Sequence, residues 1–247
     1  MRPRARRTTA VLTALVLVTA TPLAAAAKGK PAPPAPPTIT FSGYEWSVKD
    51  HNRKIGPGPN FFSASNVHVD PAGRLHLAIT PQGKKWTVAE VINTRSDLGH
   101  GTYTWTLASS PTFDPNVILG LFTWNDAPDD NHREIDIEYA RWGNAADPNN
   151  AQYVVQPYST AGNEHRWQDA SLLAGSTHSF TWLPDRVDFE SRAADGTLLE
   201  SWSYDGPDVP APGGENVRMN LWLFRGAAPT DGQPVEIVFE SFTHEGL

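Results

Sequence analysis

Three carboxylic acids recur at every second position of one short segment, His132-Arg133-Glu134-Ile135-Asp136-Ile137-Glu138-Tyr139. Side chains alternate along a strand, so Glu134, Asp136 and Glu138 share one face while Ile135 and Ile137 share the other. The isoleucines suit a buried layer, which leaves an unbroken row of acids opposite. A solvated strand face would mix Thr, Ser, Lys and Glu. Such a row is costly instead, because neighbouring like charges raise one another's pKa and Asp and Glu are poor strand formers. Two arrangements give it a use. Three carboxylates suit a calcium ion. They also suit a division of labour at a glycosidic bond, with one acid attacking the anomeric carbon, another protonating the leaving oxygen, and the middle one tuning both. Four strand steps set the Glu134 and Glu138 backbones about 13 Å apart. Two glutamate side chains leaning inward reach both the roughly 5–5.5 Å separation of retaining hydrolysis and the roughly 6.5–9.5 Å of inversion, so spacing leaves the stereochemistry open.

The elements that must hold this row are strands. Val67-His68-Val69 and Leu75 to Ile79 flank the turn Asp70-Pro71-Ala72-Gly73 and read as a hairpin. Further β-favouring runs are Trp86 to Ile92, Gly101 to Leu107, Val117 to Trp124, Glu134 to Trp142 and Tyr153 to Tyr158. They continue with Thr177 to Leu183, Arg186 to Glu190, Leu198 to Tyr204, Val217 to Phe224 and Val235 to Phe242. Pro and Gly punctuate them, and helical periodicity is almost absent. A large all-β antiparallel sandwich is expected.

Residues 1–27 have the three parts of a secretory signal: four early arginines, an apolar run from Ala10 to Ala20, and small residues Ala24 to Ala27. The run is too short for a membrane anchor. Residues 28–37, KGKPAPPAPP, can form neither helix nor central strand, so a Pro-rich linker is expected, with the folded domain spanning 38–247. The 247-residue chain carries 20 Lys+Arg and 27 Asp+Glu, but all six bases before position 38 sit in a stretch without acids, so the remainder has a net charge of −13. That charge excludes nucleic acid and anionic membranes as primary partners. With no cysteine, the chain has neither a disulfide framework nor thiol chemistry.

Glu134-Ile135-Asp136-Ile137-Glu138 resembles the E-x-D-x-E signature of glycoside hydrolase family 16, without the extra residue before the last glutamate that laminarinase-like members carry. Leu98-Gly99-His100-Gly101-Thr102-Tyr103, Gly120 to Trp124 and Met219-Asn220-Leu221-Trp222 resemble further segments of that family, so the likeness spans nearly the whole domain. The resemblance implies a jelly-roll sandwich with a concave substrate cleft. It also implies a retaining mechanism with Glu134 as nucleophile, Glu138 as general acid/base and Asp136 assisting. A secreted, endo-acting enzyme on a β-glucan-type polysaccharide is expected, acting as a monomer. A transglycosylase and a non-catalytic polysaccharide-binding sandwich are the alternatives. Where lichenases carry Trp-Asp before the first glutamate, this chain has His132-Arg133.

All nine tryptophans lie beyond position 38, and tryptophan offers a flat partner to the apolar face of a sugar ring. Trp222 and Asn220 share a strand face and are expected to bind substrate. Gln156 with Tyr158, Glu90, Trp124 and Trp142 are further candidates. The eight histidines show no metal-ligand spacing. His68, His76 and His178 read as structural, and no residue is assigned to a metal. No cofactor is required, although the resemblance leaves room for a structural calcium ion away from the cleft.

Overall fold

In the computed structural model, which describes residues 35–108, 114–169 and 175–247, the alternating segments pair as strands. The signal-like segment 1–27 and linker residues 28–34 lie outside the described residues. In chain order the strands are β1 (Thr38–Phe41), β2 (Tyr44–Val48), β3 (Phe61–Phe62), β4 (Val67–Val69), β5 (Leu75–Gln82), β6 (Lys85–Asn93), β7 (Gly101–Leu107) and β8 (Val117–Trp124). They continue as β9 (Ile135–Tyr139), β10 (Ala151–Val155), β11 (Glu164–Trp167), β12 (Ser176–Trp182), β13 (Val187–Ala193), β14 (Leu198–Tyr204), β15 (Asn216–Leu223) and β16 (Val235–Gly246). The helical turns among the described residues are short 3-10 pieces.

Strands β1-β2-β6-β15-β8-β9-β10-β11 form one sheet, and β4-β5-β16-β7-β12-β13-β14 form the other. All these neighbours are antiparallel; only the short β3 runs parallel, against β6. The β5–β6 hairpin joins the sheets, because the end of β5 pairs with the start of β6 while their remaining lengths pair into opposite layers. The chain is thus the all-β antiparallel sandwich that the strand pattern predicts, with the jelly-roll form that the family resemblance implies.

Alternation builds the core between the layers. Leu119, Leu121, Ile135, Ile137, Met219 and Leu221 from one sheet meet Leu75, Leu77, Tyr103, Trp105, Phe180 and Phe239 from the other, all essentially inaccessible. Trp105 lies 5.5 Å from Phe180 and 5.4 Å from Phe242, ring centre to ring centre. Each such side chain contributes on the order of 1.5–3 kcal/mol by leaving water, an upper figure because unfolded chains already bury some surface.

Two expected strands end early. β9 stops at Tyr139, and Trp142 follows in a left-handed turn with φ of 51°. β10 stops at Val155, two residues before Pro157, which has no ladder donor. Gln156 and Tyr158 therefore do not share a strand face, and Tyr158 is 67% exposed. β11 went unrecognised because Glu-His-Arg-Trp carries a single apolar residue.

Candidate active site

Cross-strand register turns isolated residues into a floor. Glu90 on β6 pairs with Asn220 on β15, Asn220 with Gly120 on β8, Gly120 with Glu138 on β9, and Glu138 with Gln152 on β10. A parallel row sets Arg218, Phe122, Asp136 and Val154 side by side. Strands lie about 4.8 Å apart, so each row is a polar or aromatic line running across the sheet. Gly120 keeps the floor low, since a Cβ there would stand 2.6 Å from Asn220 Oδ1.

These rows line a cleft of about 380 Å³ containing Glu134, Asp136, Glu138, Glu90, Asn220, Trp124 and Trp222. A second depression, of about 560 Å³, is bounded by Glu138, Trp142, Gln156 and Tyr158. Glu138 is common to both, while Glu134 and Asp136 line the first alone. Trp142 and Trp222 pack at 6.0 Å, and Trp124 stacks on His132 at 4.0 Å with a 9° tilt.

The acids are held by amides. Gln156 Nε2 donates to Asp136 Oδ2 at 3.1 Å, and Gln152 Nε2 donates to Glu138 Oε2 at 2.7 Å. Trp142 Nε1 in turn donates to Gln152 Oε1 at 3.0 Å, fixing that amide's orientation. Glu90 is buried against Lys49 Nζ at 2.8 Å. Glu90 Oε1 and Asn220 Oδ1 are buried acceptors with no protein hydrogen-bond donor.

Burial and the mutual repulsion of the row set the protonation. Asp136, 3% exposed, is pushed well above the usual carboxylate range by burial and by Glu134 and Glu138. Burial and the Glu138 charge push Glu134 up to about 8, against a hydrogen bond with Asp136 and the Arg218 charge. Burial pushes Glu138 up to about 7; Gln152 opposes this, and Glu164 and Arg166 act in opposite senses. Fewer than three charges therefore sit on the row at neutral pH, and the protons belong to the group as a whole. A charge on Glu134 is favoured by a hydrogen bond with Asp136 and by the Arg218 guanidinium.

That guanidinium, Arg218, escaped notice in the sequence, although it shares strand parity with Asn220 and Trp222. It lies 2.9 Å from Asp126 and 3.8 Å from Glu90. Arg133, by contrast, turns away from Glu134 to Ala211 O at 2.9 Å and Asp129 at 2.8 Å. Gln152 and Lys49 were likewise missed. The histidines hold a further surprise: His68 and His76, eight residues apart, face each other across the β4–β5 hairpin and meet Glu236. Their nitrogens do not suit calcium, which takes oxygen ligands, so this cluster gives the calcium expectation no support.

No family model matches the chain, and no curated protein matches it in sequence. Solved structures match in fold. A Bacillus licheniformis β-glucanase superposes with a TM-score of 0.61 at 20% identity, covering 82% of this chain and 92% of that one. A glycoside hydrolase family 16 endo-glucanase from Bacteroides ovatus gives 0.63 at 14%, covering 81% and 94%. The chain has the fold of the family 16 glycoside hydrolases. An immunostimulatory antigen and pseudo β-1,3-glucanase of Mycobacterium tuberculosis is also similar in fold, with a TM-score of 0.62 at 23% identity over 82% of this chain and 91% of that one.

Proposed function

We propose that the chain is an exported endo-acting glycoside hydrolase that cleaves a β-glucan-type polysaccharide by retaining double displacement. One observation carries this reading: three acids on consecutive cleft-facing positions line one recess, the last of them, Glu138, also borders a second, and their environments keep protons on part of the row. Recesses on both sides of Glu138 suit a polymer bound through its interior. Glu134, facing Arg218 and the Asp136 proton, attacks the anomeric carbon. Glu138, in the form of the row that places one of its shared protons there, delivers that proton to the departing oxygen and later takes one from the incoming water. Trp124, Trp142 and Trp222 offer faces for sugar rings, and Glu90 and Asn220 offer acceptors for hydroxyls. The signal-like first 27 residues support export. The chain acts as a monomer, with residues 28–37 as a linker ahead of the catalytic domain.

The test is release of reducing ends from mixed-linkage glucan, laminarin and xyloglucan, with the first-formed anomer read by proton NMR. Glu134→Gln and Glu138→Gln, checked for native circular dichroism, are each expected to lose at least about a thousandfold in kcat. Wild type inert on every substrate would favour a binding sandwich. Products longer than the donor would show transglycosylation. A first product with inverted configuration would refute the glycosyl-enzyme on Glu134.

A further inference from the structure

On the sheet that does not carry the cleft, three groups converge on the outward face. His68 on β4 pairs directly with His76 on β5, and Glu236 on β16 lies two residues from His76's other partner, Val238. These positions alternate with Leu75 and Leu77, which point into the core, so all three side chains project outward. One ligand atom from each lies within 4.8 Å of the others. The imidazoles stack at 4.3 Å with an 18° tilt. His76 Nδ1 is 3.2 Å from Glu236 Oε1 yet out of line for a hydrogen bond, and it is buried without another partner.

The support behind His76 is already in place. Its Nε2 lies 3.3 Å from Asp70 Oδ2, a contact that would keep a proton on Nε2 when Nδ1 binds an ion beside Glu236. Asp70 is itself fixed, by the amides of Ala72 and Arg74 at 2.9 Å and by the Arg74 guanidinium at 2.7 Å. A carboxylate behind a histidine, orienting its free nitrogen, is the arrangement that raises the basicity of metal-ligating imidazoles.

We propose that His68, His76 and Glu236 form a binding site for a borderline divalent transition-metal ion, Zn²⁺ above all, with Asp70 orienting His76. Two imidazoles and one carboxylate leave a fourth, open position and match the ligand preferences of zinc rather than calcium. Tetrahedral zinc with bonds near 2.05 Å needs ligand atoms about 3.3 Å apart. The exposed side chains of His68 and Glu236 are free to close that gap by rotation. The ion would clip three adjacent strands, among them β4, which is three residues long. In a chain without cysteine it would be a cross-link that sequence spacing conceals, because register rather than local periodicity brings the ligands together.

The test uses the full chain stripped of metal and titrated with ZnCl₂ by calorimetry, alongside thermal unfolding. Wild type is expected to bind one equivalent and to unfold at rising temperature as free Zn²⁺ increases. His68→Gln and His76→Gln, and more mildly Glu236→Gln, should abolish or weaken this, and Asp70→Asn should weaken it by about 10–100-fold. Because His68 and Glu236 are exposed, their variants keep the fold, and Cu²⁺ bound to wild type should show coupling to two imidazole nitrogens in its electron paramagnetic resonance spectrum, falling to one in His68→Gln. Binding unchanged in His68→Gln and His76→Gln, no binding by wild type, or a signal without imidazole coupling would each overturn the proposal. Loss of zinc binding in Glu134→Gln with retention in His76→Gln would place the ion in the cleft and overturn it too.

Discussion

Glu138 shows how a single side chain trades stability for chemistry. Its pKa is about 7 when folded against an ordinary 4.5. Between those values the native state holds a proton that the unfolded chain has released, so stability falls as pH rises across the window. Glu134, at about 8, extends the same sign to higher pH. Glu138→Gln should therefore match wild type in stability near pH 4 and exceed it at pH 8 by on the order of 2–3 kcal/mol, measured by urea unfolding. His178 acts with the opposite sign. Buried between Ser176, Ser191 and Tyr139, it has a pKa lowered to about 4 by desolvation, so its stabilisation is lost as pH drops from 6.5. The two slopes oppose each other between pH 4.5 and 6.5, and from 6.5 to 8 only the fall set by the carboxylates remains. Arg218 governs activity rather than stability. It favours ionised Glu134, so in Arg218→Met the acidic limb of the pH profile of kcat/KM should move upward by about half a unit to one unit, with kcat at the optimum little changed. A uniform loss at all pH values would show that Arg218 holds substrate or structure instead.

At the level of elements, β8 and β9 are read from both faces. Leu119 and Leu121 fill the core while Gly120 and Phe122 form the floor; Ile135 and Ile137 fill the core while Asp136 and Glu138 face the cleft. Gly120→Ala should force Asn220 upward into the cleft, raising KM about tenfold with the melting temperature within a few degrees of wild type, because the clash is with a side-chain end. An unchanged KM would remove Asn220 from the binding surface. This double duty explains what could be read beforehand. Val117 to Trp124 matched β8 end for end because all its residues but Thr123 are apolar or glycine, and the parity argument at Glu134, Asp136 and Glu138 needed only alternation. The same parity would have found Arg218 and Gln152, had charge and amide residues within apolar strands been followed across. The turn before β9 was beyond reach. Asp130, Asn131, His132 and Arg133 all have φ between 49° and 62°, a left-handed run that no local preference suggests. Tertiary contacts impose it: Asn125 N donates to His132 O at 2.7 Å, Thr123 Oγ1 donates to Arg133 O at 2.7 Å, and Ala211 N donates to Asp130 at 3.2 Å.

For the whole molecule, chain order and spatial order are thoroughly interleaved. The cleft sheet takes β1, β2, β6, β8 to β11 and β15, while its partner takes β4, β5, β7, β12 to β14 and β16. Unfolding followed by tryptophan fluorescence and by far-ultraviolet circular dichroism should give coincident transitions. Limited proteolysis should yield no resistant fragment holding one sheet alone, and such a fragment would contradict the single cooperative unit. The β5–β6 hairpin makes the point most sharply, since one ribbon of backbone carries His76 on the outer face of one layer and Glu90 on the floor of the other. No cut along the chain separates a working half from a supporting half. To a protease the folded domain that begins at residue 38 is either whole or already lost, and neither sheet survives the other to be inherited or exchanged.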